Sequence, residues 1–351
     1  RQVTNMAGMF LDTRITSLDL SNFYTSEVQD MSNMFSYSES LTNLNIHNFN
    51  TKRVTSMSYM FLKCGSLTSL DISSFDTSNV EFMYALFEGC SSLKSISLSN
   101  LDTSQADSMG NMFKDCINLR QIDISNFRTG KVTMLSRMFY NCSSLSSLNL
   151  LNFDTSEVTT MEEMFQDCVS LRHLEISSFK GTKLTSISGM FKNCNQLTSI
   201  DISGLNTPSL RIMSNAFSDC KSLRSLDISR LVTNSVNQMD NVFENCNLLE
   251  NLDISKFDTT LTTTMKGMFS GCSSITSINL DKFNTKNVKN IGSMFKDCSH
   301  LVSLNLNNFD TTKVTDMSNL LQGCTSLENI NINIDTGVVT NMDNMFNSCT
   351  K

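Results

Sequence analysis

Histidine is scarce in this 351-residue chain, which has only three, and its twelve cysteines include no CxxC pair. The histidines, His47, His173 and His300, are more than a hundred residues apart, so no two of them are placed for a shared metal or a catalytic dyad. There is no Walker, Rossmann or zinc-site spacing. Basic charge is also in deficit, with 27 Lys and Arg against 34 Asp and Glu, a net charge of −7 and a pI near 5.1. A phosphate-binding surface needs a basic stripe, so nucleic acid is not an expected partner. No apolar run is long enough to span a bilayer, and no signal peptide is present. The chain starts at "RQVTNM" and stops at "NSCTK", both inside a repeating unit, so the expectation is a piece of a longer chain whose secretion signal and anchor lie elsewhere.

What the sequence does contain is one pattern, written again and again. Units begun at the apolar residue of "VTSM" start at Val3, Val28, Val54, Val80, Ala106, Val132, Val158, Leu184, Leu210, Val236, Thr262, Val288, Val314 and Val339, a period of 26 with two single-residue slips. A fixed period of this length marks a solenoid, whose units bury their apolar faces only against one another. Aligning the units turns composition into columns. Of the 23 Phe, 13 share one column (Phe10, Phe35, Phe61 and onward) and 9 another (Phe23, Phe49, Phe75 and onward), while 21 of the 22 Met fill two more. The cysteines, Cys64 to Cys349, occupy one position in twelve successive units, and Ser38 takes that position in the second unit.

A residue repeated once per coil forms a ladder, and a small thiol suits a narrow inner corner. Disulfides are the rival arrangement. Cysteines on adjacent coils would stand about 4.8 Å apart with parallel side-chain directions, wider than the Cβ separation of about 3.8 Å that a disulfide requires. Reduced, buried thiols are therefore expected.

Within a unit, "LTSLDIS" places Leu67, Leu70 and Ile72 as LxxLxL, with Ser69, Asp71 and Ser73 alternating outward as on a strand. "MSYMF" sets Met57, Met60 and Phe61 at i, i+3 and i+4, which predicts one short helical turn. "FDTSNV" inserts Phe75 into the core and turns through residues that bond their own backbone. A second short strand or bridge fits the "VTSM" segment.

The pattern "MFxxCxxLxxLDLSxFDTSxVxxM", nearly complete as "MFYNCSSLSSLNLLNFDTSEVTTM" from Met138 to Met161, resembles the BspA-like leucine-rich-repeat surface proteins over essentially the whole chain. The fold expected is an α/β repeat solenoid of about 13.5 coils in one domain, residues 1–351, with one parallel sheet and short helical turns; a three-sided parallel β-helix is the alternative. The resemblance implies a secreted or cell-surface, non-catalytic protein without a cofactor. It would adhere to a host, matrix or cell-surface protein or glycan. A structural subunit that stacks end to end into an extracellular filament is the alternative from a different class.

The outward columns supply the candidate sites. The position after the CxxL leucine reads Lys94, Arg120, Ser146, Arg172, Thr198, Arg224, and the "FDT" turn becomes "FRT" at Arg128 and "FKGT" at Lys180. Arg120, Arg172, Arg224, Arg128 and Lys180 could grip an acidic partner; ordinary solvated charge is the simpler account. Another column carries Glu175, Asp201, Asp227 and Asp253 on consecutive coils. Carboxylates about 4.8 Å apart repel, and a raised pKa, pairing with Arg172 and Arg224, or a Ca²⁺ ion would relieve this. Arginine pairing is the first expectation and Ca²⁺ the second. His173, Glu175 and the flanking Ser147 and Ser199 form a nominal serine-histidine-carboxylate set, but no oxyanion donor or pocket is indicated.

Overall fold

Each coil sends its backbone bonds to its neighbours instead of keeping them. In the computed structural model, which describes residues 3–351, contacts divide the chain into two compact units, Arg1–Phe179 and Lys180–Lys351. Both are stacks of 26-residue coils with an LxxLxL ladder on one side and a second ladder at the VTxM segment. The LxxLxL ladder is regular enough to form strands at six places: β1 (Ser17–Asp19), β2 (Asn43–Asn45), β3 (Ser147–Asn149) and β4 (His173–Glu175) in the first unit, β5 (Ser303–Asn305) and β6 (Asn329–Asn331) in the second. They pair in parallel as β1–β2, β3–β4 and β5–β6, so the expected sheet is present as three two-stranded pieces. The VTxM ladder is a run of single parallel bridges, as in Ser56 to Phe82, Phe82 to Ser108 and Ser108 to Met134.

The expected helical turn is not helical; no described residue is in an α-helix. From Met57 to Cys64, alternate N–H groups point in different directions. Those of Met57, Tyr59, Phe61 and Lys63 donate to carbonyls of the next coil, at Phe82, Tyr84, Leu86 and Glu88, over 2.6–3.1 Å. Those of Met60, Leu62 and Cys64 donate back to the residue three before, each at 3.1 Å. An α-helix would use every N–H internally and leave none for stacking. The alternation needs left-handed residues four apart, Tyr59 (φ 61°) and Lys63 (φ 56°) in this coil. Asn and Asp tolerate that conformation best among residues with a Cβ, and they make up 14 of the 22 non-glycine residues that adopt it.

The core consists of columns. Phe35, Phe61, Phe87, Phe113, Phe139 and Phe165 stack in the first unit with centroids 5.6–5.9 Å apart and near-parallel planes, hence offset. Phe191 to Phe295 repeat the stack in the second, at 5.4–5.8 Å. All twelve cysteines are free thiols, and all but Cys349 are buried. Thiols along the column donate to a carbonyl of the preceding coil, as in Cys64 Sγ to Phe35 O at 3.1 Å and Cys116 Sγ to Phe87 O at 3.2 Å. Ser38 makes the same bond to Phe10 O at 2.8 Å, so the column needs a small donor, and sulfur is the more apolar choice.

A third column holds the turns together. Thr51 Oγ1 donates to Asp76 O and accepts from Asp76 N–H, both at 2.8 Å, and Thr103, Thr233, Thr259 and Thr311 repeat this bridge one coil further on. The hydroxyl of the buried Thr51 serves both backbone groups of Asp76. Thr51→Val keeps the shape but leaves that N–H and C=O unpaired, and should cost about 2–3 kcal/mol in urea unfolding, with Thr51→Ser costing less. A larger loss for Thr51→Ser than for Thr51→Val would show that the methyl matters more than the hydroxyl.

Candidate functional site

The alternation that buries Leu and Ile on the strand side leaves a face of short polar residues exposed. In β3 and β4, Leu148 and Leu174 point inward while Ser147, Asn149, His173 and Glu175 face out. Ser147 pairs with His173 and Asn149 with Glu175. With Ser95, Gln121 and Asp123 of the preceding coils they line a shallow groove of about 480 Å³. Lys94, Arg120 and Arg172 are exposed along one edge, and Asp123, Asn149 and Glu175 along the other. The face is thus basic on one side, acidic on the other and neutral between.

The predicted basic residues do not form a single group. Arg120 and Arg172 stand on this edge of the first unit, and no described residue forms an ion pair or side-chain hydrogen bond with either. Arg128 is set beyond the far end of the strand segment, where its backbone N–H donates to Thr103 Oγ1 at 2.7 Å. Arg224 and Lys180 are exposed on the second unit.

The acidic column has a local purpose. Asp201, Asp227 and Asp253 each accept, through Oδ1, the N–H of the serine two residues on, at 2.9 Å. Asn149, Asn279 and Asn305 accept the equivalent N–H at 2.9–3.1 Å, so the position calls for a side-chain oxygen whether charged or not. The serine hydrogen bonds hold Asp201, Asp227 and Asp253 below the ordinary carboxylate pKa, the opposite of the upward shift that unrelieved repulsion would give. The expected pairing of this column with Arg172 and Arg224 is not formed among the described residues: hydrogen bonds stabilise the charges instead. No group of three or more His, Cys, Asp or Glu side chains comes together as a metal cage among the described residues.

No hydrogen bond joins His173 to Ser147 or to Glu175, so the nominal triad is not assembled. Cys298 and His300 have a CxH spacing but separate in space: the thiol is buried against Phe269 O at 3.1 Å, while the exposed imidazole meets Ser273 O at 2.6 Å. No helix among the described residues is long and apolar enough to cross a membrane.

Stacked LxxLxL coils with an exposed strand face make this a leucine-rich-repeat solenoid of the BspA-like kind. A family described as "Mycoplasma protein of unknown function, DUF285" matches residues 4–122, 64–149, 118–225, 211–303 and 298–351, and the chain belongs to that family. In fold it is similar to a leucine-rich cell surface protein of Faecalibacterium prausnitzii, with 20% identity and a TM-score of 0.52 over 94% of this chain and 83% of that one. A leucine-rich-repeat protein of Bacteroides ovatus is 23% identical, with a TM-score of 0.34 over 77% and 80% of the two chains. No curated protein matches the sequence significantly.

Proposed function

We propose that the chain is a cell-surface adhesion module that holds a host, matrix or cell-surface protein or glycan on its strand face. The observation that carries this is the exposed groove between Ser95 and His173, lined by Ser95, Gln121, Ser147 and Asn149 with Ile96, Ile122 and Leu148 among them, and edged by Lys94, Arg120 and Arg172. Short side chains let a partner approach the sheet closely, and guanidinium groups without internal partners are available for bidentate contacts. The Faecalibacterium protein of similar fold is described as a cell surface protein, which supports an extracellular setting. Reduced thiols do not oppose that setting, because buried cysteines bonded to backbone carbonyls are shielded from oxidants.

Binding to an array of matrix proteins and glycans tests the proposal. A partner found there should bind Arg120→Ser/Arg172→Ser about tenfold or more weakly, the scale of a lost interface anchor. Adding Arg224→Ser asks whether the second unit takes part. Binding that survives all three substitutions would remove the strand face from consideration.

A further inference from the structure

The columns account for 22 of the 23 phenylalanines and 21 of the 22 methionines. The two exceptions are Phe82 and Met134, and they fall in the same column, two rungs apart on the VTxM ladder with Ser108 between them. Most other residues of that column are polar: Asp30, Ser56, Thr160, Gln238, Thr264, Asn290 and Asp316. Phe82 is 45% exposed and Met134 38%. Neither side chain serves the core.

The surroundings depart from the pattern at the same place. Elsewhere a serine two residues further along a coil bonds the next coil's ladder hydroxyl, as Ser32 does Ser56 at 2.6 Å and Ser136 does Thr160 at 2.9 Å. Tyr84 takes that serine's position above Ser108, and Ser108 Oγ is buried without a hydrogen-bond partner. The Tyr84 ring lies over Gly110, where a Cβ would come 2.9 Å from Cε2 and 3.2 Å from Met134 Sδ. Tyr59 meets Tyr84 edge to face at 5.3 Å. Tyr84 and Met134 thus cluster around Gly110, and with Tyr59 against the Tyr84 ring and Phe82 two residues before Tyr84, they form a partly exposed apolar patch on the opposite ladder from the strand groove.

Charge identifies what this patch fits. The position before the ladder residue is Thr55 and Thr133 on the coils of Tyr59 and Met134, but Glu81 on the coil of Phe82 and Tyr84 and Asp107 on the coil between that one and Met134's. Both carboxylates are exposed, adjacent on the ladder through Asp107 N–H to Glu81 O at 3.1 Å, and neither is hydrogen-bonded or ion-paired through its side chain to a described residue. The nearby cations are engaged: Arg53 with Glu27, Lys114 with Glu88 at 2.7 Å, Arg137 with Glu163 at 2.6 Å and Lys131 with Gln105 at 2.6 Å. Residues 1–179 contain 12 Lys and Arg against 19 Asp and Glu, so the first unit holds the chain's whole net charge of −7.

We propose that Phe82, Tyr84 and Met134, with Glu81 and Asp107, form a second docking surface for a Lys- or Arg-bearing segment of a partner protein. Exposed aromatic faces attract cationic side chains and cover their methylene stems, and two adjacent unpaired carboxylates complete the match. This surface is independent of the strand face.

The probe is a fluorescein-labelled 11-residue peptide alternating Arg with Ser, compared with the same peptide carrying Glu for Arg, on the full chain with ¹³C-methyl methionine. The basic peptide should bind and shift the Met134 methyl resonance; the acidic one should do neither. Phe82→Ser/Met134→Thr, which restores the column's usual polarity, and Glu81→Gln/Asp107→Asn should each weaken the basic peptide about tenfold with unchanged circular dichroism. Added salt should weaken it further. Failure of the basic peptide to bind overturns the proposal. So does binding indifferent to both double variants, which would be diffuse attraction to the acidic unit. A Met134 shift produced by neutral oligosaccharides and not by the peptide would make the patch a glycan site and equally overturn it.

Discussion

Raising the pH from 7 to 9.5 in the presence of a reductant should unfold this protein, well below the pH at which its thiols ionise in the folded state. Burial lifts the pKa of Cys64, Cys168, Cys220, Cys272 and Cys324 to about 12, and that of Cys90, Cys116, Cys142, Cys246 and Cys298 also well above the ordinary value. A group whose folded pKa is raised lends stability that is fully present below its unfolded pKa and is lost as pH climbs toward the folded value. For a thiol the unfolded value is about 8.5, so at pH 9.5 ionisation favours the unfolded chain by about 1.4 kcal/mol per cysteine. Over these ten thiols that is about 14 kcal/mol, comparable with the 5–15 kcal/mol that holds a typical domain together. Because five of the ten lie in each unit, neither escapes.

A circular dichroism titration between pH 7 and 11 should therefore show a cooperative loss of structure near pH 9.5. Thiol reactivity toward a disulfide reagent should appear together with unfolding and not before it. Cys116→Ser/Cys142→Ser removes two ionisable groups while keeping a donor, as Ser38 does naturally, and should move the midpoint upward. A chain still folded at pH 11, or a midpoint unmoved by the serines, would show that the ladder is not what sets the alkaline limit.

The ladder itself was legible in the sequence because a core built of columns repeats its chemistry at each turn, and one Cys per 26 residues has few other meanings. The strand side was equally plain: Leu148 and Leu174 alternate with exposed Ser, Asn, His and Glu as period two requires. The turn at Met57–Cys64 was not. Its i, i+3, i+4 apolar spacing is shared by a helix and by a chain of tight turns, because both return every third or fourth side chain to one side. The discriminating signal was polar: Asn and Asp at positions equivalent to Asn111 and Asp115, where a left-handed backbone favours them. The acidic column was misleading for a related reason, since a row of Asp looks like a charge problem until its oxygens are found accepting backbone N–H groups. Phe82 and Met134 were hidden in the remainder of the residue counts, which only the exposed positions of the two side chains brought forward.

Phe113→Ala should be among the most damaging single substitutions in the first unit, costing about 3–5 kcal/mol. The ring is fully buried and has a stacked neighbour on each side, Phe87 and Phe139, both at 5.6 Å. Its removal cuts two coil-to-coil interfaces at once, and in a solenoid those nearest-neighbour interfaces hold the units together. Collapse cannot refill the space, because the Thr bridge, the Cys bond and the alternating turn bonds fix the coil spacing around it. Phe113→Leu gives the scale of the ring alone. Leu321 occupies this column in the second unit, so the fold accepts leucine there, and the loss should stay near 1–1.5 kcal/mol. Urea unfolding should show the transition of residues 1–179 moving to lower denaturant in Phe113→Ala, with a much smaller move in Phe113→Leu, and hydrogen exchange should lose protection first at the N–H groups of Phe87 and Phe113, which bond to the coils that follow them. A loss below about 1 kcal/mol for alanine would mean that the backbone ladders, and not the phenylalanine column, hold adjacent coils together.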